Sequence, residues 1–179
     1  MNEETTCRRG CCLTIAGSDS GGNAGVQADL RAFHAYGLHG CTVLAALTAQ
    51  NPREVSAIHE VPPEFVAAQL DAVLGVYDIR ALKTGMLADA AAIEAVADRI
   101  AAHPEIARVV DPVMIATSGA RLLRADASRA LAERLLPLAT LATPNLPEAA
   151  ELCGAGGDAA TLARGVYERY GCATLVKGG

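Results

Sequence analysis

Residues 13–36, LTIAGSDSGGNAGVQADLRAFHAY, decide the fold class. They open as a short apolar run (Leu13, Thr14, Ile15, Ala16) and pass into a turn holding Gly17, Gly21, Gly22 and Gly25. Ala24, Val26, Leu30 and Phe33 then recur at three- and four-residue spacing, the mark of a helix. Strand, glycine turn and helix form the unit with which an α/β sheet offers backbone N–H groups to a ligand at the carboxyl end of a strand. Glycine is required where a side chain would block that approach or where φ must be positive. A tight turn from strand to helix would need the same glycines without any ligand. The pattern is neither G-x-G-x-x-G nor G-x-x-x-x-G-K-[ST], which argues against a dinucleotide or Walker-type site.

The rest of the 179-residue chain supports an α/β reading. Hydrophobic residues make up 51% but aromatic ones only 3%, so the core has to be built from Ala, Leu, Val and Ile. The net charge of −5 and the lack of any basic cluster beyond Arg8-Arg9 disfavour nucleic-acid binding, which needs a basic face. No apolar run approaches the about 20 residues of a membrane span. The opening MNEETTCRRG is no secretory signal, and a cytoplasmic protein is expected. Of six cysteines, Cys7 with Cys11 or Cys12 lacks the second cluster or paired histidines of a zinc site, while Cys12, Cys41 and Cys172 lie in apolar runs and read as small core residues. Residues 1–10 read as a flexible tail and 11–179 as a single α/β domain.

Taken in order, strands are expected at 11–16, 40–47, 81–87, 108–114, 139–142 and 172–179, with helices at 24–36, 62–76, 88–102, 125–136 and 159–170. Residues 55–61 are an extra strand or an edge flap. Continuous apolar strands alternating with helices predict a three-layer α/β/α sandwich around a mostly parallel sheet. Polar residues gather where those strands end: Thr48-Ala49-Gln50-Asn51, Asp111-Pro112, Thr143-Pro144-Asn145 and Lys177. Each has a plain reading as well: Gln50 as a loop cap, Asp111 as a turn former, Lys177 as a solvated strand end, Met86 as core. Asn145 and Glu148 stand three apart at a helix start, the spacing of a capping box.

The strings AGSDSGGNAGVQADL (16–30), TAQN (48–51), KTGML (83–87), DPVM (111–114), TPNLPEA (143–149) and KGG (177–179) occur in one order. Together they resemble the hydroxymethylpyrimidine/phosphomethylpyrimidine kinases of thiamine biosynthesis, in the ribokinase-like superfamily. Ser118-Gly119 and Leu122-Leu123 match that family's S-G-x-x-L-L loop, whereas Asn23 stands where the family usually has glycine. The resemblance implies ATP-dependent phosphorylation of 4-amino-5-hydroxymethyl-2-methylpyrimidine and then of its monophosphate, with ATP and Mg²⁺ as cofactors and a homodimeric assembly.

By the same resemblance Gln50, Gly17 and Asp29 bind the pyrimidine and Met86 and Val113 form its apolar walls. Asp111 and Glu148 hold Mg²⁺, while Asn145, Glu148 and Lys177 serve ATP and its phosphates. The chemistry agrees: a carboxamide both donates and accepts against an aminopyrimidine edge, a thioether packs on an aromatic ring, and strand-end carboxylates suit a hydrated Mg²⁺. The family's glycine-rich G-T-G-C loop follows K-G-G and is absent from these residues, so no catalytic residue is assigned. A fragment of a longer chain is the expected explanation, ahead of a truncated product or a loop supplied by a partner. The rival readings are a pyridoxal/pyridoxine kinase of the same superfamily and a non-catalytic pyrimidine-binding protein or inactive fragment. All kinase readings require Gln50, Asp111 and Glu148 to meet in one cavity.

Overall fold

The computed structural model describes residues 10–114 and 125–178. The tail residues 1–9, with Cys7, and the loop of Ser118-Gly119 and Leu122-Leu123 lie outside the described residues. The first half runs β1 (Cys11–Asp19), α1 (Gly25–Ala35), β2 (His39–Asn51), β3 (Glu54–Glu60), α2 (Pro63–Leu74) and β4 (Ile79–Thr84). The second runs α3 (Ala90–Ala101), β5 (Ala107–Val110), α4 (Ala125–Ala130), β6 (Leu141–Ala142), α5 (Leu146–Cys153), α6 (Ala159–Tyr170) and β7 (Ala173–Thr174). The strands make one seven-stranded sheet in the order β3-β2-β1-β4-β5-β6-β7. All neighbours are parallel except β3, which runs antiparallel to β2. Helices cover the sheet as an α/β/α sandwich.

The chain leaves β1 toward β2 and later returns to β4 on β1's other side. That reversal opens a crevice at the carboxyl ends of the strands, where ligands bind in such sheets. The core is aliphatic, as the composition requires: the largest fully buried side chains include Leu13, Ile15, Leu82, Ile93, Ile100 and Met114. Cys41 and Cys172 are buried in it, as expected, whereas Cys12 is only half-buried.

Several elements differ in length from the sequence reading. β1 continues three residues further, to Asp19, because its chain shifts register at Ala16/Gly17 and goes on pairing with Ala46–Thr48 of β2. The flap at 55–61 is a strand, β3, with nearly every residue exposed, so it extends the sheet beyond the helical layers. β2 is longer than its partner, and Gln69 of α2 serves the unpartnered edge. Its Oε1 accepts from Leu44 N at 2.9 Å and its Nε2 donates to Leu44 O at 3.1 Å. The helix expected at 125–136 ends as α4, followed by a π turn (Leu131–Leu135) and a 3₁₀ turn (Leu136–Leu138), with Pro137 unable to supply the next donor. The last strand shortens to Ala173–Thr174, with one further bridge between Asn145 and Lys177.

Candidate active site

A cleft of about 370 Å³ opens at the carboxyl ends of the strands. Gly17 and Asp29 line it from β1 and α1, Gln50 from the end of β2, and Met86 and Val113 from the segments after β4 and β5. Asp111, Asn145, Glu148 and Lys177 complete it from β5 onward. All nine residues singled out in the sequence therefore share one cavity.

The glycine turn is built around Asp19. Its Oδ1 accepts from Gly21 N at 2.8 Å, and its Oδ2 from Asn23 N and Ala24 N, each at 2.8 Å. The N–H groups of the turn are thus largely satisfied within the protein, and the turn shapes the cleft more than it supplies donors. Gly25 is required on two counts: its φ is +58°, and a Cβ there would collide with the Gly17 carbonyl oxygen. At Gly17 a Cβ would stand 2.7 Å from Met86 Cε, so glycine there makes room for the methionine. The departure at Asn23 asks nothing unusual of asparagine, because among the described residues only glycines have positive φ.

Gln50 is held by its backbone. Its N–H donates to Ser20 Oγ at 2.8 Å, and Ser20 Oγ lies 2.8 Å from the Gln50 carbonyl, fastening the end of β2 to the glycine turn. The carboxamide lines the cleft, with Thr48 Oγ1 3.2 Å from Oε1. Gln50 therefore ties down a loop through its main chain and still offers its side chain to the cavity.

The acidic and basic groups meet across strand ends. Lys177 Nζ donates to Asp111 Oδ1 at 2.7 Å. Asn145 caps α5, its Oδ1 accepting from Glu148 N at 2.9 Å, and Glu148 Oε2 accepts from Asn145 N at 2.8 Å. The capping box is therefore real. Glu148 Oε1 also accepts from Met114 N at 3.2 Å, so the carboxylate, only 2% exposed as a residue, spans two strand ends. Burial pushes its pKa up, opposed by the Asn145 and Met114 N–H groups; the Asp111 charge raises it further and the Lys177 charge lowers it.

Oxygen donors of this kind suit a hard cation. Mg²⁺ uses one or two carboxylates and completes its shell with water and phosphate oxygens rather than an all-protein cage. Among the described residues no group of three or more metal-ligating side chains forms. The carboxylates of Asp111 and Glu148, both lining the cleft, are the oxygen donors that fit such an ion.

The sequence reading missed Lys83. Its Nζ lies 3.0 Å from Asp29 Oδ2 and 3.2 Å from Oδ1, and Thr14 Oγ1 donates to Asp29 Oδ2 at 2.6 Å. The available signal was a lysine inside an apolar strand run directly before Thr84-Gly85.

A family described as phosphomethylpyrimidine kinase matches residues 19–179. A hydroxymethylpyrimidine/phosphomethylpyrimidine kinase of Rhizobium meliloti is 51% identical over 172 residues, which cover 93% of this chain and 64% of that protein. A crystal structure of a phosphomethylpyrimidine kinase from Clostridium difficile superposes with a TM-score of 0.87 at 37% identity, covering 95% of this chain and 75% of that one. A Bacillus subtilis pyridoxal kinase in complex with ADP gives a TM-score of 0.85 at 34% identity, covering 95% and 66%. The chain spans less than two thirds of the length of the first curated relatives it matches.

Proposed function

The chain belongs to the phosphomethylpyrimidine kinase family, and on that premise we propose that it serves the ATP-dependent phosphorylation of 4-amino-5-hydroxymethyl-2-methylpyrimidine and of its monophosphate in thiamine biosynthesis. The observation that carries this reading is the convergence of Gln50, Asp111 and Glu148, with the other six residues, on one cleft at the strand ends. A pyrimidine site and a phosphate site have to adjoin for phosphoryl transfer, because that chemistry depends mainly on positioning and charge stabilisation.

In the first transfer the hydroxymethyl oxygen bonds to the γ-phosphorus and gives up its proton to solvent, the bond from that phosphorus to the β–γ bridging oxygen breaks, and ADP leaves. Gln50 donates to and accepts from the aminopyrimidine edge, while Asp29 accepts one of its N–H groups. Gly17 admits the ring and Met86 and Val113 hold its faces. Asn145 and Lys177 meet phosphate oxygens. Asp111 and Glu148 are the residues that would hold Mg²⁺, which when bound neutralises charge on the phosphates. The reading includes a cytoplasmic location and a homodimer; light scattering on the purified protein tests the latter.

The deciding experiment measures ADP release with the hydroxymethylpyrimidine and, in parallel, with pyridoxal. Faster turnover on the pyrimidine supports the proposal. Preference for pyridoxal replaces it with the vitamin-kinase alternative that the pyridoxal kinase likeness makes specific. Pyrimidine binding with no ADP release on either substrate points to a binding protein.

A further inference from the structure

At the cleft wall, Lys83 and Asp29 form a cluster with the underlying Thr14, from β4, α1 and β1. Lys83 Nζ reaches both oxygens of Asp29, at 3.0 and 3.2 Å, and Thr14 Oγ1 donates to Oδ2 at 2.6 Å. Lys83 and Asp29 both line the cleft, with side chains 24% and 18% exposed, so the pair is mostly withdrawn from water. Thr14 is fully buried in the sheet. Gly85 clears the space: a Cβ there would stand 3.1 Å from Lys83 Nζ and 3.0 Å from Ala16 Cβ. Three elements and one glycine thus fix a single carboxylate.

The fixation changes what Asp29 selects. A lone, half-buried carboxylate attracts cations, since charge interactions strengthen away from water. A carboxylate already matched by an ammonium has no uncompensated charge to offer, yet keeps lone pairs that accept hydrogen bonds. Resting on the pyrimidine reading of the cleft, we infer that Lys83 is a positioning and specificity residue: by neutralising and orienting Asp29, it makes this end of the cleft an acceptor for the N–H of a neutral heteroaromatic amine and disfavours a cationic ring. Lys83 acts through Asp29 and does not itself touch the ligand.

Calorimetry on the full chain tests this with two non-reacting probes, 4-amino-2,5-dimethylpyrimidine and its N1-methylated pyrimidinium cation. Neither carries a hydroxyl, so binding is read independently of turnover. The wild type binds the neutral probe more tightly. Lys83→Met weakens the neutral probe about tenfold, the scale of one charge-assisted hydrogen bond, and shifts the ratio of affinities toward the cation by at least as much. The weakening of the neutral probe vanishes in an Asp29→Asn background. The double variant, Asp29→Asn with Lys83→Met, removes both charges, so it folds even where a lone Asp29 would not be tolerated.

A ratio that Lys83→Met leaves unchanged overturns the inference, because a purely structural lysine would alter both affinities alike. A loss of equal size in the Asp29→Asn background also overturns it, by showing that Lys83 acts independently of Asp29. If the wild type binds neither probe, the pyrimidine reading itself falls, an outcome distinct from the other two.

Discussion

Lys177 Nζ lies 2.7 Å from Asp111 Oδ1, joining residues 66 apart in sequence at the mouth of the cleft. The Lys177 side chain is 42% exposed and that of Asp111 19%. A pair whose ammonium is this open to water contributes little to folding, about 1 kcal/mol or less. Its position explains it better: the ammonium stands beside the carboxylate proposed to serve the metal, where phosphate charge would arrive. The partners are brought together by the backbone, since Lys177 N donates to Pro144 O at 2.8 Å.

Lys177→Met therefore separates a functional pair from a structural one. The midpoint of urea unfolding stays within the equivalent of about 1 kcal/mol. The KM for ATP rises about tenfold, the effect of losing one charged contact to phosphate, and the KM for the pyrimidine stays the same. Steady-state kinetics with each substrate varied in turn checks it. A large fall in stability with both KM values intact would contradict it.

Glu148 carries a structural role beside its place in the cleft. Removing its carboxylate in Glu148→Ala leaves the buried N–H groups of Met114 and Asn145 without an acceptor and costs about 2–4 kcal/mol. Its folded pKa is raised above the ordinary 4.5, chiefly by burial. The sign follows from proton binding: between the unfolded and folded values the native state holds more protons, so stability falls as pH rises. Compared with the non-titrating Glu148→Gln, the wild type is most favoured below about pH 4.5, loses ground as pH climbs through the raised value and then levels off. Denaturation curves for both proteins across that range show the slope or its absence.

Much of this was legible in the sequence. Helix α6 (Ala159–Tyr170) has the bounds expected from the sequence, and the polar strand tips marked Gln50, Asp111, Asn145 and Lys177, while Gly17, Asp29, Met86 and Val113 came with the family resemblance. Features carried by one polar side chain reaching another element were not legible. Lys83 and Asp29 are 54 residues apart, and Gln69 meets Leu44 across 25. Arg108 is nearly buried although it sits in a strand, because its guanidinium serves the carbonyls of Ile100, His103 and Leu138. Periodicity reports which face of an element is buried; it carries no signal for a side chain whose partner is fixed only by the tertiary fold. Strand length was illegible for a related reason. The apolar run at the end of the chain marks burial, while the ladder at β7 forms only where its neighbour β6 reaches it.

Gly25 and Gly154 test the difference between conformation and collision. Both have positive φ, +58° and +66°, but a Cβ at Gly25 meets the Gly17 carbonyl oxygen while at Gly154 nothing lies within 4 Å. Gly154→Ala should cost about 1–2 kcal/mol, the strain of the left-handed region alone. Gly25→Ala adds overpacking of about 1–3 kcal/mol and displaces the turn that borders the cleft. Thermal unfolding ranks the two, and only the Gly25 variant should lose pyrimidine affinity.

Gln69→Ala exposes the Leu44 backbone at the unpaired part of β2. The loss is about 1 kcal/mol, since water can replace the amide at this half-exposed edge. Turnover is unchanged, because Gln69 does not line the cleft. The bare edge is free to pair with other chains, so light scattering at raised protein concentration should show more association than in the wild type.

Gln50→Leu asks whether this residue reads a ligand or only ties a loop. The hydrogen bonds that fasten the end of β2 to Ser20 use the Gln50 main chain, and leucine keeps them. Leucine, one carbon shorter, keeps an aliphatic stem at this position, and what disappears is the carboxamide with its donor and its acceptor. A site whose polar groups pair with a substrate's N–H and ring nitrogen loses discrimination sharply when one partner becomes apolar, because the ligand atoms are then desolvated without compensation. The expected result is a fall on the order of 100-fold in kcat/KM for the pyrimidine, an unchanged KM for ATP and an unfolding midpoint close to wild type. A loop-fastening side chain would instead lower the midpoint and raise both KM values together, since the glycine turn and the strand tip would loosen as one.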